Sequence, residues 1–344
     1  MDRRRFGSQV VYFSDTTGGG WAGLALRLRL AGDKGPVRLA ADVRRKWHRR
    51  FRPHEPLPFA QAIHLEVTNA CNLRCVMCPR QFMDRPVGRM DRERFGEIAR
   101  QLKTQRDWIE SVALMGLGEP FLHPELLDLG RIAKEAGLHR LYTSTNATLL
   151  SESRVAELLA ADVFDQLILS VDGDRATYEK VRPGCAYEVV EAGVERLLAA
   201  KRQRGARRPA IELQILLMDQ TEAEIEDFCA RWVPLLGSRD RILIKEVDTF
   251  GGQVDDRRTA AHRHLEPAER FACRQLWKDL AVSWDGRVTV CCKDVLYKLA
   301  VGNVNETPLA ELWRSARWET IRRLHLEKRW DELDPCRDCL EWWI

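Results

Sequence analysis

Short apolar runs alternate with longer amphipathic stretches from residue 62 onward. The apolar runs cover residues 62–67, 110–115, 139–144, 166–171, 210–217 and 241–247. Helical periodicity fills residues 91–104, 124–136, 151–161, 187–203 and 221–235. Apolar runs of this length are typical of buried strands, and apolar positions three and four residues apart are typical of one helix face. The pattern predicts six strands, each followed by a helix or crossover, in parallel βα units with right-handed connections.

The predicted fold class is therefore α/β. Parallel βα units either close into a barrel or lie open as a doubly wound sheet. In both arrangements ligands collect at the carboxyl ends of the strands. A cysteine-containing loop directly follows the first predicted strand, so we expect the functional site at that edge.

The two ends of the chain differ from this central part. Residues 1–58 show no strand pattern, include a basic run at 44–52, and are separated from the body by three prolines. After residue 250 the chain becomes rich in Cys and Trp. We predict a basic N-terminal extension at 1–58, a βα domain at 59–250 and a small domain at 251–344. The extension is interpreted as a solvated basic face, with a site for an acidic partner or an anionic membrane as the alternative.

Composition narrows the class of protein. The 344 residues are 45% hydrophobic and 31% charged, which is ordinary for a globular protein. Residues 1–52 carry 13 Lys and Arg against 4 Asp and Glu, a local charge of +9, so the remainder is at −5 when the chain is at +4. This acidic body argues against a nucleic-acid enzyme. No bilayer-spanning run or secretion signal is evident, and we predict a cytoplasmic location. Ten cysteines then favour metal or cluster ligation over disulfides.

Three cysteines lie in the loop after the first predicted strand. Cys71, Cys75 and Cys78 have the spacing CxxxCxxC. Three thiolates can hold three corners of an iron–sulfur cube and leave the fourth iron open to bind and activate a small molecule. Zinc is the alternative, but it requires a fourth ligand, and apart from His64 in the preceding strand none is evident nearby.

Further segments follow the later strands. They are Met115-Gly116-Leu117-Gly118-Glu119-Pro120 after the second, Ser144-Thr145-Asn146 after the third and Ser170-Val171-Asp172-Gly173 after the fourth. With the cysteine loop, they resemble segments of the radical S-adenosylmethionine (SAM) enzymes, although Gly-Leu-Gly stands where two adjacent glycines are usual. The resemblance implies a partial (β/α)6 radical SAM barrel, with a [4Fe-4S] cluster on Cys71, Cys75 and Cys78. It also implies SAM at the open iron, bound by Met77, Gly116, Gly118, Glu119, Ser144, Thr145, Asn146, Ser170 and Asp172.

A second group of cysteines lies in the C-terminal region. Its members are Cys273, the pair Cys291-Cys292 after Gly286, and the closing Cys336-Arg337-Asp338-Cys339. The glycine fits a hairpin that presents a cysteine on its returning strand. Together these features resemble the SPASM domain in its shortened "twitch" form, with one auxiliary [4Fe-4S] cluster on Cys273, Cys291, Cys336 and Cys339; a zinc ribbon is the alternative. Neighbouring strand residues face opposite ways, so Cys292 is interpreted as a buried apolar side chain or a hydrogen-atom donor.

The resemblance also implies a reaction. A 5′-deoxyadenosyl radical would abstract hydrogen from the substrate, and the one-cluster arrangement is similar to that of aminocyclitol dehydrogenases. We predict oxidation of a secondary alcohol in a small aminocyclitol or sugar-like substrate, with the auxiliary cluster as electron acceptor and flavodoxin or ferredoxin as reductant. The predicted catalytic groups are Lys245, Glu246, Asp248 and Cys292. Further candidates are His123, Arg182 and the Arg257/Arg258 pair.

Several alternatives stay open from sequence. Epimerisation would need a thiol such as Cys292 to return hydrogen, and decarboxylation would need a cationic pocket. Peptide modification is disfavoured because residues 1–58 lack the strands of a peptide-clasping module. An iron–sulfur electron carrier or sensor would not require the segments at Gly118 and Ser144.

Overall fold

The computed structural model describes residues 3–6, 9–14, 43–45, 47–48, 50–52, 55–218, 220–252 and 270–342. Its strands are β1 (Arg3–Phe6), β2 (Gln9–Ser14), β3 (Ala62–Leu65), β4 (Ser111–Ala113), β5 (Leu141–Thr145), β6 (Gln166–Ser170), β7 (Ala210–Leu217), β8 (Arg241–Glu246), β9 (Asp279–Val282), β10 (Arg287–Thr289) and β11 (Ala300–Asn303). Its helices are α1 (Arg92–Gln105), α2 (Leu126–Glu135), α3 (Glu152–Ala161), α4 (Arg175–Val181), α5 (Tyr187–Gln203), α6 (Glu222–Trp232), α7 (Leu309–Leu312) and α8 (Ala316–Leu326).

Strands β3 to β8 are the six strands predicted from the apolar runs. They pair in parallel and in chain order. Strands β3 and β8 do not pair with each other, because β3 pairs with β9 and β8 pairs with β2. The six strands therefore form an open, incomplete barrel, and the predicted α/β class is confirmed.

Local signals explain where the helices begin. Asp91 accepts a hydrogen bond from the backbone of Arg94 at the start of α1, and Ser151 does the same for Arg154 at α3. Thr221 begins α6 with a complete capping box. Such caps satisfy backbone N–H groups that the first turn leaves without partners. The helices consequently cover the sheet at the positions that the periodicity predicted, with α4 as an additional short helix.

The N-terminal expectation needs correction. Residues 1–58 were predicted to contain no strand, but β1 and β2 form an antiparallel hairpin, and β2 pairs in parallel with β8. An edge strand has unpaired backbone donors and acceptors, and a neighbouring strand satisfies them. The many arginines around the apolar run at residues 10–13 obscured this strand in the sequence. The glycine-rich and basic residues at 15–42 lie outside the described part of the chain.

The C-terminal region continues the same sheet. Strand β9 runs parallel to β3, with Ala62 opposite Asp279 and Leu65 opposite Val282. Gly286, at φ 92°, turns the chain from β9 into the antiparallel β10, so the predicted hairpin is present. Trp313 and Trp318 are fully buried and pack edge to face under this region. The pairing of β9 with β3 therefore joins the C-terminal region to the barrel. Within the described residues, no helix is long and apolar enough to cross a membrane.

Candidate active site

One cavity of about 350 Å3 opens at the carboxyl ends of the parallel strands. Its wall includes fifteen of the residues predicted from sequence to belong to the site. They are Cys71, Cys75, Met77, Cys78, Gly116, Gly118, Glu119, Ser144, Thr145, Asn146, Ser170, Lys245, Asp248, Cys291 and Cys292. Barrel residues and C-terminal residues therefore share a single cavity.

The loop with the first three cysteines is fastened to the end of α4. Arg74 N–H donates to Pro183 O at 3.1 Å, and Val76 N–H donates to Val181 O at 3.0 Å. Burial raises the pKa of all three thiols, that of Cys78 to about 11. Buried thiols keep their protons until a metal replaces them, so the donor set suits cluster binding.

Glu119 connects the second and third strand-end segments. Its carboxylate accepts hydrogen bonds from Phe121 N–H (3.0 Å), Thr145 Oγ1 (2.8 Å) and Asn146 N–H (2.7 Å). Its own N–H donates to Ala70 O at 2.8 Å, beside the cysteine loop. Burial raises the pKa of Glu119, while the three donors oppose that rise. Thr145 and Asn146, predicted to contact SAM, thus also position this carboxylate.

The two glycines of the Gly-Leu-Gly segment have separate structural roles. A Cβ on Gly116 would lie 2.5 Å from the Glu66 side chain. Glu66 and Arg85 form a buried bidentate ion pair at 2.7–2.8 Å, and Arg85 lies over the Tyr297 ring. A Cβ on Gly118 would instead meet backbone oxygens of the cysteine loop. The segment therefore accommodates a buried ion pair at one glycine and the loop at the other.

Replacing Gly118 by alanine is expected to destabilise the protein by about 1–3 kcal/mol, as overpacking does. The new methyl would clash with Thr68 O and lie 2.6 Å from Ala70 O, and backbone atoms cannot rotate away as a side chain can. A methyl on Gly96 in α1 would meet nothing within 4 Å. Gly96→Ala is therefore the control, and it should stabilise by about 0.5–1 kcal/mol. Urea unfolding measures both variants, and equal effects would contradict the close approach at Gly118.

Asp172 does not line the cavity, unlike the other residues predicted to bind SAM. Its carboxylate accepts from Arg182 Nε at 2.5 Å and from Leu216 N–H at 2.8 Å. Arg182 does line the cavity, and its Nη1 donates to Cys75 Sγ at 3.5 Å. Asp172 therefore positions Arg182, and Arg182 contacts the cysteine loop. Met77 is buried with Val181 and Val247 in a small apolar cluster on the cavity wall.

Three charged side chains meet at the end of β8. Lys245 Nζ and Lys293 Nζ lie 2.8 Å and 2.6 Å from the same oxygen, Asp248 Oδ2. Burial works against ionisation of Asp248, but Lys293 and Lys245 hold its pKa well below the usual range. Lys245 and Asp248 thus come together as expected, and Lys293 joins them.

The other proton-transfer candidates have different positions. The structure does not describe the side chain of Glu246 or the Arg257/Arg258 pair. His123 is buried away from the cavity, with Nε2 on Met90 O at 2.8 Å and Nδ1 accepting from Glu125 N–H at 3.1 Å. Both of its ring nitrogens have structural partners.

The C-terminal thiols predicted to hold the auxiliary cluster lie near one another. Cys291, Cys336 and Cys339 each lie close enough to Cys273 for its negative charge, when ionised, to raise their pKa values. Burial raises the pKa of Cys273 to about 11 and that of Cys336 to about 12. Two buried nitrogens near this group, Arg270 Nε and His325 Nε2, have no hydrogen-bond partner within the described residues. Buried thiols beside such donors fit a sulfur-rich cofactor that can accept hydrogen bonds.

Cys292 lies beside Cys291 on the same cavity wall, so the expectation that the two neighbours face opposite ways is wrong. Its Sγ lies 3.3 Å from Asp279 Oδ2, and His64 Nε2 lies 3.7 Å from the same oxygen. Burial lowers the pKa of His64, but Cys292 and Asp279 together raise it to about 9. Cys292 therefore has a polar partner in addition to lining the cavity, and its role stays a prediction.

Sequence reasoning missed several residues of the wall: Glu66, Lys293, Tyr297 and, except as a possible zinc ligand, His64. His64 and Glu66 are polar residues inside an apolar strand segment, and that is the signal that could have found them. Lys293 directly follows the cysteine pair. Tyr297 has no comparable signal, because it enters the cavity through the path of the loop after β10.

The fold and the site define a βα-barrel protein with two sets of cluster-type cysteines. Residues 65–231 match the radical SAM superfamily, and residues 273–340 match SPASM, an iron–sulfur cluster-binding domain. The chain therefore contains a radical SAM domain followed by a C-terminal SPASM domain. These domains imply [4Fe-4S] clusters and SAM. The cysteines described above are the proposed ligands of the clusters.

Two curated relatives align over most of the chain. One is the tungsten-containing aldehyde ferredoxin oxidoreductase cofactor-modifying protein of Pyrococcus furiosus, at 26% identity over 76% of this chain and 82% of the relative. The other is the S-adenosyl-L-methionine-dependent 2-deoxy-scyllo-inosamine dehydrogenase of Niallia circulans, at 20% identity over 80% and 91%. Both lengths are mostly covered, so the similarity extends over the two domains.

Solved structures show the same fold. BtrN in complex with AdoMet and 2-DOIA superposes with a TM-score of 0.55 at 18% identity, over 83% of this chain and 94% of that one. Streptococcus suis SuiB bound to its precursor peptide SuiA gives 0.63 at 16% identity, over 87% and 74%. At these identities the likeness concerns architecture alone.

Proposed function

We propose that this radical SAM enzyme oxidises a secondary alcohol of a small aminocyclitol or sugar-like substrate to a ketone. The observation that supports this is the shared cavity, which has Cys71, Cys75 and Cys78 on one side and Cys291 and Cys292 on another. A molecule held there lies between the two cluster sites. SAM must share this cavity with the substrate, which favours a small substrate over a large one.

The reaction removes two hydrogens from the substrate. When bound, the cofactors supply a 5′-deoxyadenosyl radical that takes one hydrogen atom from the carbinol carbon, and an acceptor for one electron. The hydroxyl proton leaves to a base, and the C–O bond becomes C=O. The protein contributes a recessed cavity whose wall holds the substrate and orients one C–H bond.

The Lys245–Asp248–Lys293 group is proposed to orient substrate hydroxyls. The low pKa of Asp248 makes it a good hydrogen-bond acceptor and a weak base. Proton removal is instead assigned to the group of His64, Asp279 and Cys292. His64 and Cys292 line the cavity, and Asp279 Oδ2 lies behind them, 3.3 Å from Cys292 Sγ and 3.7 Å from His64 Nε2. This changes the sequence expectation, which placed proton transfer at the end of β8.

Anaerobic reconstitution with iron and sulfide, followed by SAM, reductant and a panel of aminocyclitols and sugars, tests the proposal. We expect 5′-deoxyadenosine together with a product lighter by two hydrogens. Unchanged mass with deuterium uptake from heavy water would mean epimerisation, and loss of carbon dioxide would mean decarboxylation; either would overturn the dehydrogenase assignment. No nucleoside with any member of the panel would exclude this substrate class.

Peptide modification is the second candidate. The β1–β2 hairpin removes the argument that residues 1–58 lack strands. Among the described strands, β1 has a neighbour on one side only. An extended peptide can add to such an edge through backbone hydrogen bonds. Turnover of a linear peptide, with none of any sugar, would favour this candidate.

The remaining partners are also proposals. A flavodoxin or ferredoxin would supply the electron that starts each turnover, and the cytoplasmic location predicted from the sequence suits such carriers. The acidic charge of the main body is the argument against a nucleic-acid substrate. A non-catalytic carrier or sensor is disfavoured by the match to the radical SAM superfamily.

A further inference from the structure

Arg270 lies buried among the C-terminal thiols. Its Nη2 donates to Cys336 O at 2.7 Å and its Nη1 to Arg337 O at 3.3 Å, so it holds the backbone of the closing CxxC segment. Its guanidinium also interacts electrostatically with Cys273, Cys336 and Cys339. The positive charge of Arg270 is therefore near three of the four proposed ligands of the auxiliary cluster.

The guanidinium of Arg270 is incompletely satisfied. Its Nε has no hydrogen-bond partner in the described part of the chain, and the ring of Trp330 covers it at 4.5 Å. Among those residues no carboxylate lies within 4 Å of it, and Asp331, which acts from a greater distance, is exposed. A buried N–H without an acceptor is costly unless something not yet present accepts from it. Cluster and thiolate sulfurs are acceptors of that kind.

We propose that Arg270 raises the reduction potential of the auxiliary cluster and so makes it a better electron acceptor. The inference rests on the proposed function in one respect: the proposed function makes the auxiliary cluster the electron acceptor. An added electron makes the cluster more negative, and a buried cation in a medium of low dielectric constant stabilises the reduced form. Arg270 is a positioning and tuning residue in this assignment, since it acts through the thiolates and not on the substrate.

Glu341 should have the opposite effect and lower the reduction potential of the auxiliary cluster. Cys339 Sγ lies 3.4 Å from Glu341 Oε2, and the buried carboxylate is held by Thr249 Oγ1 at 2.5 Å and Gly251 N–H at 3.2 Å. A fixed anion beside a ligand sulfur disfavours the added electron. Neutralising the two residues should therefore shift the potential in opposite directions.

The test is an EPR-monitored redox titration of full-length protein with Cys71, Cys75 and Cys78 replaced by alanine, so that one cluster remains. In this background we test Arg270→Gln, which keeps hydrogen-bond donors without the charge. It should lower the equilibrium constant for reduction of the cluster at least about tenfold, which lowers the reduction potential by about 59 mV for one electron. Arg270→Lys should stay within about twofold of the parent and Glu341→Gln should shift the potential upward. Arg274→Met is the matched control, because Arg274 is next to Cys273 but exposed, and it should leave the potential unchanged.

An unchanged potential in Arg270→Gln with about four irons retained would overturn the proposal. So would an equal shift in Arg274→Met, because that would indicate overall charge and not a local cation. If Arg270→Gln does not retain iron, the Arg270→Lys variant decides the question. A tenfold fall in its equilibrium constant for reduction would also overturn the proposal. The titration contains no substrate and no SAM, so a negative result here is distinct from failure of the dehydrogenase assignment.

Discussion

Replacing Cys75 by alanine should abolish 5′-deoxyadenosine formation and reduce the iron content from about eight to about four per chain. Cys75 lines the cavity, and its sulfur accepts from Arg182 at 3.5 Å. Two thiols cannot hold a cube that needs three protein ligands, so the site for SAM would be lost with the cluster. Iron analysis and chromatography of the nucleoside measure the two effects.

Two further variants make this result specific. Cys185 is half-buried, donates to Ala186 O and does not line the cavity, so Cys185→Ala should behave as the parent. Cys336→Ala should also lose about four irons, yet it should still form 5′-deoxyadenosine while losing the oxidised product. Wild-type nucleoside formation by Cys75→Ala would contradict the assignment of the first cluster site.

Replacing Arg182 by methionine should lower the free energy of unfolding by about 3–5 kcal/mol, the cost of breaking a buried ion pair from one side. The side chain of Arg182 is 9% exposed and that of Asp172 is fully buried, with 2.5 Å between Nε and Oδ2. The variant would leave the Asp172 charge buried without its partner. Urea unfolding of the cluster-free protein under reducing conditions measures the change.

An exposed pair provides the comparison. Arg131 and Asp128 form an ion pair on α2 in which the side chains are 51% and 40% exposed. Arg131→Met should change stability by less than about 1 kcal/mol, since solvent screens such pairs. Adding Asp172→Asn to Arg182→Met should recover part of the loss, because no buried charge then remains. A loss below about 1 kcal/mol for Arg182→Met would show that the pair is not desolvated.

Much of the barrel could be predicted because its signals are local. The apolar runs and the spacing of helix faces depend on residues close together in sequence, and the strands from Ala62 to Glu246 follow them. The cysteine loop and the segment at Gly118 were also predicted, since each is a short motif at a strand end. The hairpin at residues 3–14 was missed because pairing with β8 is a contact across more than 200 residues.

The α/β class, the positions of the six parallel strands along the chain and the two groups of cysteines could all be read from the amino-acid sequence, because periodicity and motif spacing are properties of neighbouring residues. Which distant side chains share the cavity depends on the tertiary fold. It placed Lys293 on Asp248, His64 and Asp279 beside Cys292, and Arg270 among the C-terminal thiols. These contacts arise where β9 pairs with β3 and brings the C-terminal region against the barrel, a pairing that no local pattern encodes.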